Sequence, residues 1–581
     1  MTRMSWRLLW LATLCLAGIG ATEADAPQQP EAASGYTHKE AVSARRFMVA
    51  SAHPLATDAG YEMLKRGGSA VDAAIAAQMV LNLVEPQSSG IGGGAFLVHY
   101  SGRTRRLITY DGRETAPAAA RPERFLGADG KPVKFYDAVV GGKSVGVPGL
   151  LRALELAHRR HGRLPWAQVF QPAIRMAEEG FTVGPRLATL LAKEQYLQRQ
   201  EAARRYFHPD GSPLQAGQRL RNPEFAATLR AIATGGADAF YRGDIARDMV
   251  AAVVEAPDNP GDLTLEDLAA YRAVERAPVC GGYRSYRVCG MGPPSSGAVA
   301  VLQILGMLEQ FSLRSAPPVS LMAAHLFAEA GKLAYADRGL YLADPDFVDV
   351  PVRGLLARDY LAQRASLIRH GSAMAKAQPG VPDMKTTARL GRDEPLELPA
   401  TSHISVVDGY GNALAMTTTI EDAFGSRLMV RGFLLNNQLT DFSFAPEENG
   451  RPVANRIEAR KRPRSSMAPT IVFDSKGRLY AVLGSPGGSQ IINYVAQAVA
   501  GLIDWQLDPA RAAALPHYGS RNGPTELEQG TSAAALADSL KLLGHDVRIM
   551  EMTSGTQIIH RQDDKWWGGA DPRREGTARG Q

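Results

Sequence analysis

Residues 401–420 read TSHISVVDGYGNALAMTTTI and indicate the architecture more clearly than any other segment. Apolar and polar residues alternate on both sides of a Gly-Tyr-Gly sequence, which is typical of two strands joined by a tight turn. In a hairpin centred on Tyr410, Thr401 would lie opposite Thr419, and Thr417 would share the face of Thr419. The segment therefore predicts a β-hairpin with three clustered hydroxyls, although a structural ladder of threonines would give the same pattern.

A second hairpin is predicted where PTIVFD and RLYAVLGS flank a Ser-Lys-Gly turn. Its second strand runs into the sequence GSPGGS at 484–489, and an apolar helix follows from about residue 491. Backbone N–H groups of Gly487 and Gly488 before that helix would bind an anion or a developing oxyanion. A glycine-rich turn capped by Ser489 would explain the same residues without chemistry.

The pattern upstream of the first hairpin is mainly helical. Residues 57–84 read as two helices separated by a Gly-Gly pair, and helical periodicity recurs over 146–203 and in parts of 225–370. Residues 371–399 carry proline, glycine and charge without an apolar period. This composition predicts an exposed linker directly before Thr401.

Composition excludes several classes of protein. The 581 residues are 45% hydrophobic and 21% charged, which is typical of a folded chain and excludes disordered and polytopic membrane proteins. The net charge is +6, and no long basic run with interleaved aromatics occurs, so nucleic acid is not an expected partner.

Neither a cofactor nor a metal is predicted. GGKS at 141–144 resembles the end of a phosphate-binding loop, but the first glycine of that motif would fall at Asp137. His158 and His161 have the spacing of metal ligands, yet they lie among arginines at a helix end and no second ligand cluster accompanies them.

The N-terminus is typical of an export signal. Arg3 and Arg7 precede an apolar run over 8–21, and small residues follow, so residues 1–26 are predicted to be a cleaved secretory leader. The run is shorter than the approximately 20 residues of a transmembrane anchor. We expect a mature chain without a stable membrane anchor, located in the periplasm or secreted.

Two cysteines remain after the leader. APVCGGYRSYRVCGM reads as a hairpin with its centre near Arg284 and Ser285, which would set Cys280 opposite Cys289. A disulfide can persist in an exported protein. The sequence leaves open a disulfide or two unpaired small hydrophobic residues.

Ordered motifs along the whole chain resemble one known family. HPLATDAGYEMLKRGGSAVDAAIAA, YDGRETAP and PPSSG are followed by TSHISVVD, GNALAMTTTI, LLNNQLTDFS, KRPRSSMAPTIV and GSPGG. Together they resemble the γ-glutamyltranspeptidase family from about residue 45 to 573. The resemblance implies an α/β fold, a four-layer αββα sandwich of the N-terminal nucleophile hydrolase type, made as one precursor that cuts itself into two chains.

The resemblance also implies how the chain matures and reacts. Cleavage between Ala400 and Thr401 would give a large chain, 27–400, and a small chain, 401–581, that form a heterodimer. The new α-amine of Thr401 can act as base for its own hydroxyl. Gly487 and Gly488 would hold the oxyanion. Thr419, and less directly Thr417, would orient the nucleophile.

Substrate recognition is implied by the same motifs. Arg113 would bind an α-carboxylate with help from two serines, while two further residues face an α-ammonium. The two serines are Ser465 and Ser466, and the ammonium partners are Gln438 and Asp441. Where the family often has asparagine, this chain has Glu421, which places a second carboxyl near the ammonium. Residues 444–460, which match the lid of the family, contain no tyrosine.

The expected function is a γ-glutamyl hydrolase and transferase that acts on glutathione and related compounds, with water, amino acids or dipeptides as acceptors. One alternative is an acylase of the same family that removes glutaryl-type side chains from β-lactams. Glutaryl lacks the ammonium, so Asp441 and Glu421 would be buried without a partner, which argues against the acylase. Another alternative is an unprocessed binding protein on this fold.

Overall fold

The computed structural model describes residues 33, 35–384, 390–393 and 400–581. The predicted leader, 1–26, lies outside the described residues. No helix in the described ranges combines the length and apolarity that a membrane crossing requires.

The described residues form helices and strands in the following order. The helices are α1 (Pro54–Lys65), α2 (Ala70–Val84), α3 (Phe135–Val139), α4 (Leu150–His161), α5 (Trp166–Val169), α6 (Gln171–Glu179), α7 (Pro185–Lys193), α8 (Glu201–Phe207), α9 (Pro223–Gly235), α10 (Asp238–Tyr241), α11 (Gly243–Val254), α12 (Leu265–Ala270), α13 (Gly297–Leu308), α14 (Leu321–Tyr341), α15 (Val352–Leu355), α16 (Arg358–Ala365), α17 (Ile491–Ile503), α18 (Pro509–Ala513) and α19 (Ala537–Leu542). The strands are β1 (Val42–Ala44), β2 (Met48–Ser51), β3 (Gly94–Tyr100), β4 (Leu107–Gly112), β5 (Phe181–Thr182), β6 (Arg219–Leu220), β7 (Val274–Arg276), β8 (Val279–Tyr283), β9 (Tyr286–Gly290), β10 (Ser402–Val407), β11 (Ala413–Thr419), β12 (Met429–Val430), β13 (Phe433–Leu434), β14 (Glu447–Glu448), β15 (Arg451–Pro452), β16 (Thr470–Phe473), β17 (Leu479–Gly484), β18 (Tyr518–Ser520), β19 (Thr525–Glu528), β20 (Val547–Met550), β21 (Gln557–Gln562), β22 (Lys565–Ala570) and β23 (Thr577–Gly580).

Two seven-stranded sheets form the centre of the molecule. One has the order β1-β22-β21-β17-β16-β9-β8, and the other has the order β23-β2-β10-β11-β3-β4-β7. The sheets face each other through contacts such as β10 with β17 and β2 with β22. Helices α1, α2 and α4 cover the second sheet, while α13, α17 and α18 cover the first. This arrangement is the predicted four-layer αββα sandwich, and the fold class is confirmed.

Strands from both sides of position 400 alternate within each sheet. Strands β10 and β11 lie between β2 and β3, and β16 and β17 lie between β9 and β21. The halves before and after Thr401 are therefore joined by backbone ladders as well as by packed side chains.

The central hairpin has the predicted register. Ser402 pairs with Thr418 and Val407 pairs with Ala413, which sets Thr401 opposite Thr419. In the turn, both Tyr410 and Asn412 donate backbone N–H groups to the Asp408 side chain at 2.9 Å. An aspartate that bonds the backbone two residues further on stabilises such turns.

The cysteine hairpin is confirmed, and the alternative left open by the sequence is resolved. Cys280 pairs with Cys289 across β8 and β9, with Arg284 and Ser285 in the turn, and the two sulfurs form a disulfide.

The described part of the segment predicted to be an exposed linker, 371–384 and 390–393, has no helix or strand and is mostly exposed or half-buried, but it is anchored at particular positions. The backbone N–H of Ala377 bonds Asn522 and that of Gly380 bonds Asp337, each at 2.8 Å, and Arg464 pairs with Asp393 at 2.9 Å. Distant side chains thus anchor a segment that has no apolar period of its own. Residues 385–389 and 394–399 lie outside the described residues.

Candidate active site

Thr401 directly precedes β10, and its hydroxyl contacts the carbonyl of Ala400. Oγ1 of Thr401 donates to the Ala400 oxygen at 2.6 Å, and Oγ1 of Thr419 donates to the same oxygen at 2.6 Å. The two hydroxyl oxygens are 3.4 Å apart. Both Ala400 and Thr401 are buried. Two hydroxyl donors on one peptide carbonyl polarise that carbonyl toward attack.

Further hydrogen bonds hold Thr419 and the backbone of Thr401 in place. The Glu421 N–H donates to Oγ1 of Thr419 at 2.8 Å, which directs the hydroxyl proton of Thr419 to Ala400. The guanidinium of Arg574 donates to the Thr401 carbonyl at 3.0 Å. The sequence motifs did not single out Arg574, which reaches the site from the C-terminal segment 173 positions away.

Thr417 shares the face of Thr419 as predicted, but its hydroxyl bonds a histidine. Oγ1 of Thr417 lies 2.8 Å from Nδ1 of His403, and Nε2 of His403 lies 3.1 Å from the Ser405 hydroxyl. Since Ser405 donates to a carbonyl, it accepts from Nε2, so Thr417 donates to Nδ1. Burial lowers the pKa of His403 to about 3, in agreement with a neutral ring. Thr417 therefore anchors β11 to β10 behind the nucleophile.

The glycine-rich loop after β17 packs so closely against neighbouring aromatic rings that a side chain on its glycines would clash. At Gly484 a Cβ atom would meet the ring of His403, and at Gly487, where φ is +140°, it would come within 2.5 Å of the Tyr494 ring. Gly488 begins a 3₁₀ turn that leads into α17. Within the described ranges, the N–H groups of Gly487 and Gly488 donate to no acceptor, which leaves both available for an oxyanion.

One pocket brings together nearly all of the predicted residues. Gly488, Thr401 and Thr419 line it beside the six residues expected to bind substrate. These six are Arg113, Glu421, Gln438, Asp441, Ser465 and Ser466. Met467 and Ile491 complete the wall, and sequence reasoning missed them because an apolar wall residue carries no motif.

Arg113 is fully buried and is held by three acceptors. Its Nε donates to the Pro463 carbonyl at 3.1 Å, and its Nη2 donates to the Arg464 carbonyl at 2.8 Å and to the carboxylate of Asp441. Nη1 makes no hydrogen bond within the described part of the chain and lies 3.7 Å from the carboxyl of Glu114. Arg113 and Asp441, which are expected to bind the carboxylate and the ammonium of a substrate, therefore pair with each other in the intact chain. This pairing uses Nη2 of Arg113 and leaves Nη1 for a ligand.

Glu421 lies in the left-handed region, at φ +83°, with its side chain buried in the pocket. Asn437 donates to one of its carboxyl oxygens, and the hydroxyl oxygen of Thr440 lies 3.3 Å from the same oxygen. Burial, followed by repulsion from Asp441 and Asp422, holds the pKa of this carboxyl well above its usual range. Burial therefore favours the protonated form of this carboxyl.

The paired serines sit on a rigid support. The Ser465 backbone N–H bonds the Pro294 carbonyl at 3.1 Å. Arg338 donates to the hydroxyl of Ser466 at 2.7 Å and to that of Ser296 at 2.8 Å. The Met467 backbone N–H donates to the Ser465 hydroxyl at 3.2 Å, so this contact uses an acceptor position of that hydroxyl. Arg338 was not predicted, since its role depends on the fold of α14.

A sequence model described as Gamma-glutamyltranspeptidase matches residues 56–581. The chain belongs to the γ-glutamyltranspeptidase family. Glutathione hydrolase proenzymes of Escherichia coli and Bacillus subtilis are 39% and 37% identical to it, over 96% and 98% of this chain and 96% and 97% of theirs. Acylase ACY 1 proenzyme of a Pseudomonas species is 36% identical over 94% of this chain and 96% of its own length.

Solved structures of similar proteins include two activities. Cephalosporin acylase from Bacillus halodurans superposes with a TM-score of 0.83 at 28% identity, over 94% of this chain and 97% of that one. γ-Glutamyltranspeptidase from Helicobacter pylori has a TM-score of 0.55 at 34% identity, over 57% of this chain and 94% of that one.

Residues 444–460, the segment expected to match the lid of the family, have a defined structure. The short strands β14 and β15 pair, and Phe444 packs on Phe125 with ring centroids 4.6 Å apart. Neither strand lines the pocket of Thr401. In the described ranges no group of three or more His, Cys, Asp or Glu side chains is placed to hold a metal ion.

Proposed function

We propose that this chain is a γ-glutamyl hydrolase and transferase that acts on glutathione and related γ-glutamyl compounds through an acyl-enzyme on Thr401. The observation that carries the proposal is the convergence of the Thr401 and Thr419 hydroxyls on the Ala400 carbonyl, inside a pocket that contains Arg113 and Asp441. Membership of the γ-glutamyltranspeptidase family and the names of the proenzyme relatives support it.

Maturation begins at the peptide bond between Ala400 and Thr401. Oγ1 of Thr401 attacks the Ala400 carbonyl carbon while Thr419 stabilises the oxyanion. The C–N bond breaks, its nitrogen takes up the hydroxyl proton, and an ester links Ala400 to Thr401. Water hydrolyses this ester to the Ala400 carboxylate and a free Thr401, which gives chains 27–400 and 401–581. The shared sheets hold the two chains together as a heterodimer.

The small volume of the pocket of Thr401 also agrees with an uncleaved precursor. The pocket of Thr401 contains about 20 Å³ of free space, which is close to the room needed by one water molecule. A γ-glutamyl group does not fit into that space, so we expect donor binding after cleavage has released Ala400.

Turnover then uses the new N-terminus. The α-amine of Thr401, with an ordinary pKa of about 7.7–8.0, takes the proton of its own hydroxyl, which attacks the γ-carbonyl carbon. Gly487 and Gly488 donate to the oxyanion. The departing amine takes the proton from the α-ammonium, and the ester that remains is cleaved by water or by an acceptor amine.

The glutamyl end is recognised by charge. Nη1 of Arg113 and the two serine hydroxyls, Ser465 and Ser466, bind the α-carboxylate. Asp441 and the Gln438 Oε1, which accepts no hydrogen bond from the described residues, face the α-ammonium. Glu421 lies beside them, with one carboxyl oxygen directed toward Asn437 and Thr440.

A second candidate function is glutaryl-type acylase activity. The acylase relatives and the raised pKa of the Glu421 carboxyl favour it, because a carboxyl that is harder to ionise weakens the preference for an ammonium. The deciding experiment is kcat/KM of the processed enzyme for a γ-glutamyl anilide and the matching glutaryl anilide, which differ by the α-amino group. We expect a strong γ-glutamyl preference; equal rates or a glutaryl preference would assign the chain to the acylases.

Processing and export are tested together on the expressed protein. Intact mass spectrometry is expected to find two chains, one of which begins at Thr401, with the other beginning between residues 22 and 27 after removal of the leader. One stable chain that retains the bond between Ala400 and Thr401 would support a non-catalytic binding protein instead.

A further inference from the structure

A cleft lined by cationic side chains adjoins the pocket of Thr401. Its volume is about 270 Å³. The two cavities share a wall, because Gly488 lines the pocket while the next residue, Ser489, lines the cleft. They also meet at Arg338, which lines the cleft and donates to the pocket serine Ser466 at 2.7 Å. The two cavities are therefore neighbours along Gly488, Ser489 and Arg338.

Positive charge dominates the lining. Five cationic side chains face two carboxylates. The cations are Arg338, Lys376, Arg392, Arg521 and Arg548, and the carboxylates are Asp393 and Glu526. Cations therefore exceed carboxylates by three, and a concave surface with one dominant sign of charge concentrates ligands of the opposite sign.

Both carboxylates already have cationic partners within the protein. Asp393 is buried and bonds Arg464 at 2.9 Å, and Glu526 forms two bonds with Arg521, at 2.5 and 3.1 Å. They therefore do not neutralise the remaining cations of the cleft.

Two arginines are placed to meet an incoming anion. The side chain of Arg548 is exposed and makes no hydrogen bond or ion pair with the described residues. That of Arg392 is exposed and donates to the neutral amide of Gln378 at 2.5 Å. Arginine binds carboxylates through two parallel N–H groups, which these side chains can present.

We propose that this cleft binds the carboxylates of the amine half of the donor, the half that departs when Thr401 takes the γ-glutamyl group, so that acidic peptides are the preferred substrates. The inference rests on the proposed function, because it assigns a ligand to the space next to the acyl pocket. Arg113 and the paired serines bind the glutamyl half of the donor, and Arg392 and Arg548 bind the negative charge on the amine half.

The test compares γ-glutamyl-glutamate with γ-glutamyl-glutamine, whose departing halves have nearly the same shape and differ by one negative charge. At low salt we expect the processed enzyme to prefer the glutamate dipeptide in kcat/KM by about fivefold, which is the effect of one to two weak ion pairs. In 0.5 M NaCl the preference is expected to fall toward unity, because salt screens the attraction between the arginines and the extra carboxylate. In Arg392→Gln/Arg548→Gln the preference is expected to fall toward unity at low salt as well.

The matched control removes the same charge at a distance. Arg204→Gln/Arg205→Gln, at two exposed positions of α8, lowers the net charge by two units, as the double substitution in the cleft does, and is expected to keep the preference of the native enzyme. Equal kcat/KM for the two dipeptides in the native enzyme, or a preference that survives the double substitution, would overturn the inference. If neither dipeptide is cleaved, the proposed function itself fails, which is a distinguishable result.

Discussion

The pocket of Thr401 and the cationic cleft share a wall but use charge in opposite ways. In the pocket, Arg113 is fully buried and is fixed by two carbonyls and the Asp441 carboxylate. In the cleft, Arg392 and Arg548 are exposed, and neither side chain pairs with a carboxylate among the described residues. Buried charges are costly to leave without a partner, whereas exposed charges are screened by water and salt. Changes in the pocket should therefore have large effects, and changes in the cleft small, salt-dependent ones.

The largest effect is expected from Thr401→Ala, which removes the attacking oxygen from the buried site. Without that oxygen neither the peptide bond to Ala400 nor a donor can be attacked. Electrophoresis and intact mass should show one uncleaved chain without activity. Thr401→Ser, which keeps a hydroxyl, should still mature, and cleavage at the normal position in the alanine variant would refute the assignment of the nucleophile.

The next effect concerns the second hydroxyl on the scissile carbonyl. Thr419→Val keeps the shape of the side chain and removes the donor 2.6 Å from the Ala400 oxygen. We expect autocleavage to slow by about 100-fold, the usual loss for one oxyanion donor. The time course of chain separation after purification of the precursor measures it, with Thr419→Ser as the control. Unchanged cleavage in the valine variant would show that Thr419 is a structural strand residue.

A smaller effect is expected when the shape of the buried cation changes but its charge stays. Arg113→Lys loses the forked contact with a carboxylate, and kcat/KM for γ-glutamyl donors should fall by about 10- to 100-fold, mostly through KM. The matched exposed substitution, Arg548→Lys, should change the same constant by less than about twofold for a donor with a neutral amine half. Equal losses in the two variants would remove the contrast between the cavities.

The smallest effect in the pocket concerns pH. Glu114 is fully buried, neither of its oxygens bonds a described residue, and burial raises the pKa of its carboxyl to about 8. Arg113, Asp441 and Asp111 are the charged groups that act on it, while the neutral hydroxyl of Tyr271 donates to the Arg113 carbonyl. As pH rises through about 8, Glu114 ionises 3.7 Å from Nη1 of Arg113 and competes with an incoming carboxylate.

KM for γ-glutamyl donors should therefore rise a few-fold between pH 7 and pH 9. In Glu114→Gln the rise should disappear while kcat keeps its pH profile. The folded chain binds the extra proton between the ordinary glutamate pKa of 4.5 and about 8, so native stability falls across that interval as pH increases, and the glutamine variant should lose this slope in thermal unfolding. A KM profile that is the same in both proteins would show that Glu114 does not act on Arg113.

Much of the site could be predicted from local patterns. The alternation in residues 401–420 predicted the register that sets Thr401 opposite Thr419, and the cysteine hairpin followed from the spacing of Cys280 and Cys289. The prediction of an exposed linker failed at Ala377, which is buried, because its partner Asn522 is contributed by a distant segment.

The sequence by itself determined which residues share a strand face and where the tight turns lie, because both depend on neighbours a few positions apart. The tertiary structure decided which charges meet. It paired Arg113 with Asp441 across 328 positions, raised the pKa of Glu421 by burying it, and brought Arg392 and Arg548 into the lining of one cleft. Pairing and desolvation depend on atoms that only folding brings together, so a linear pattern contains no signal for them.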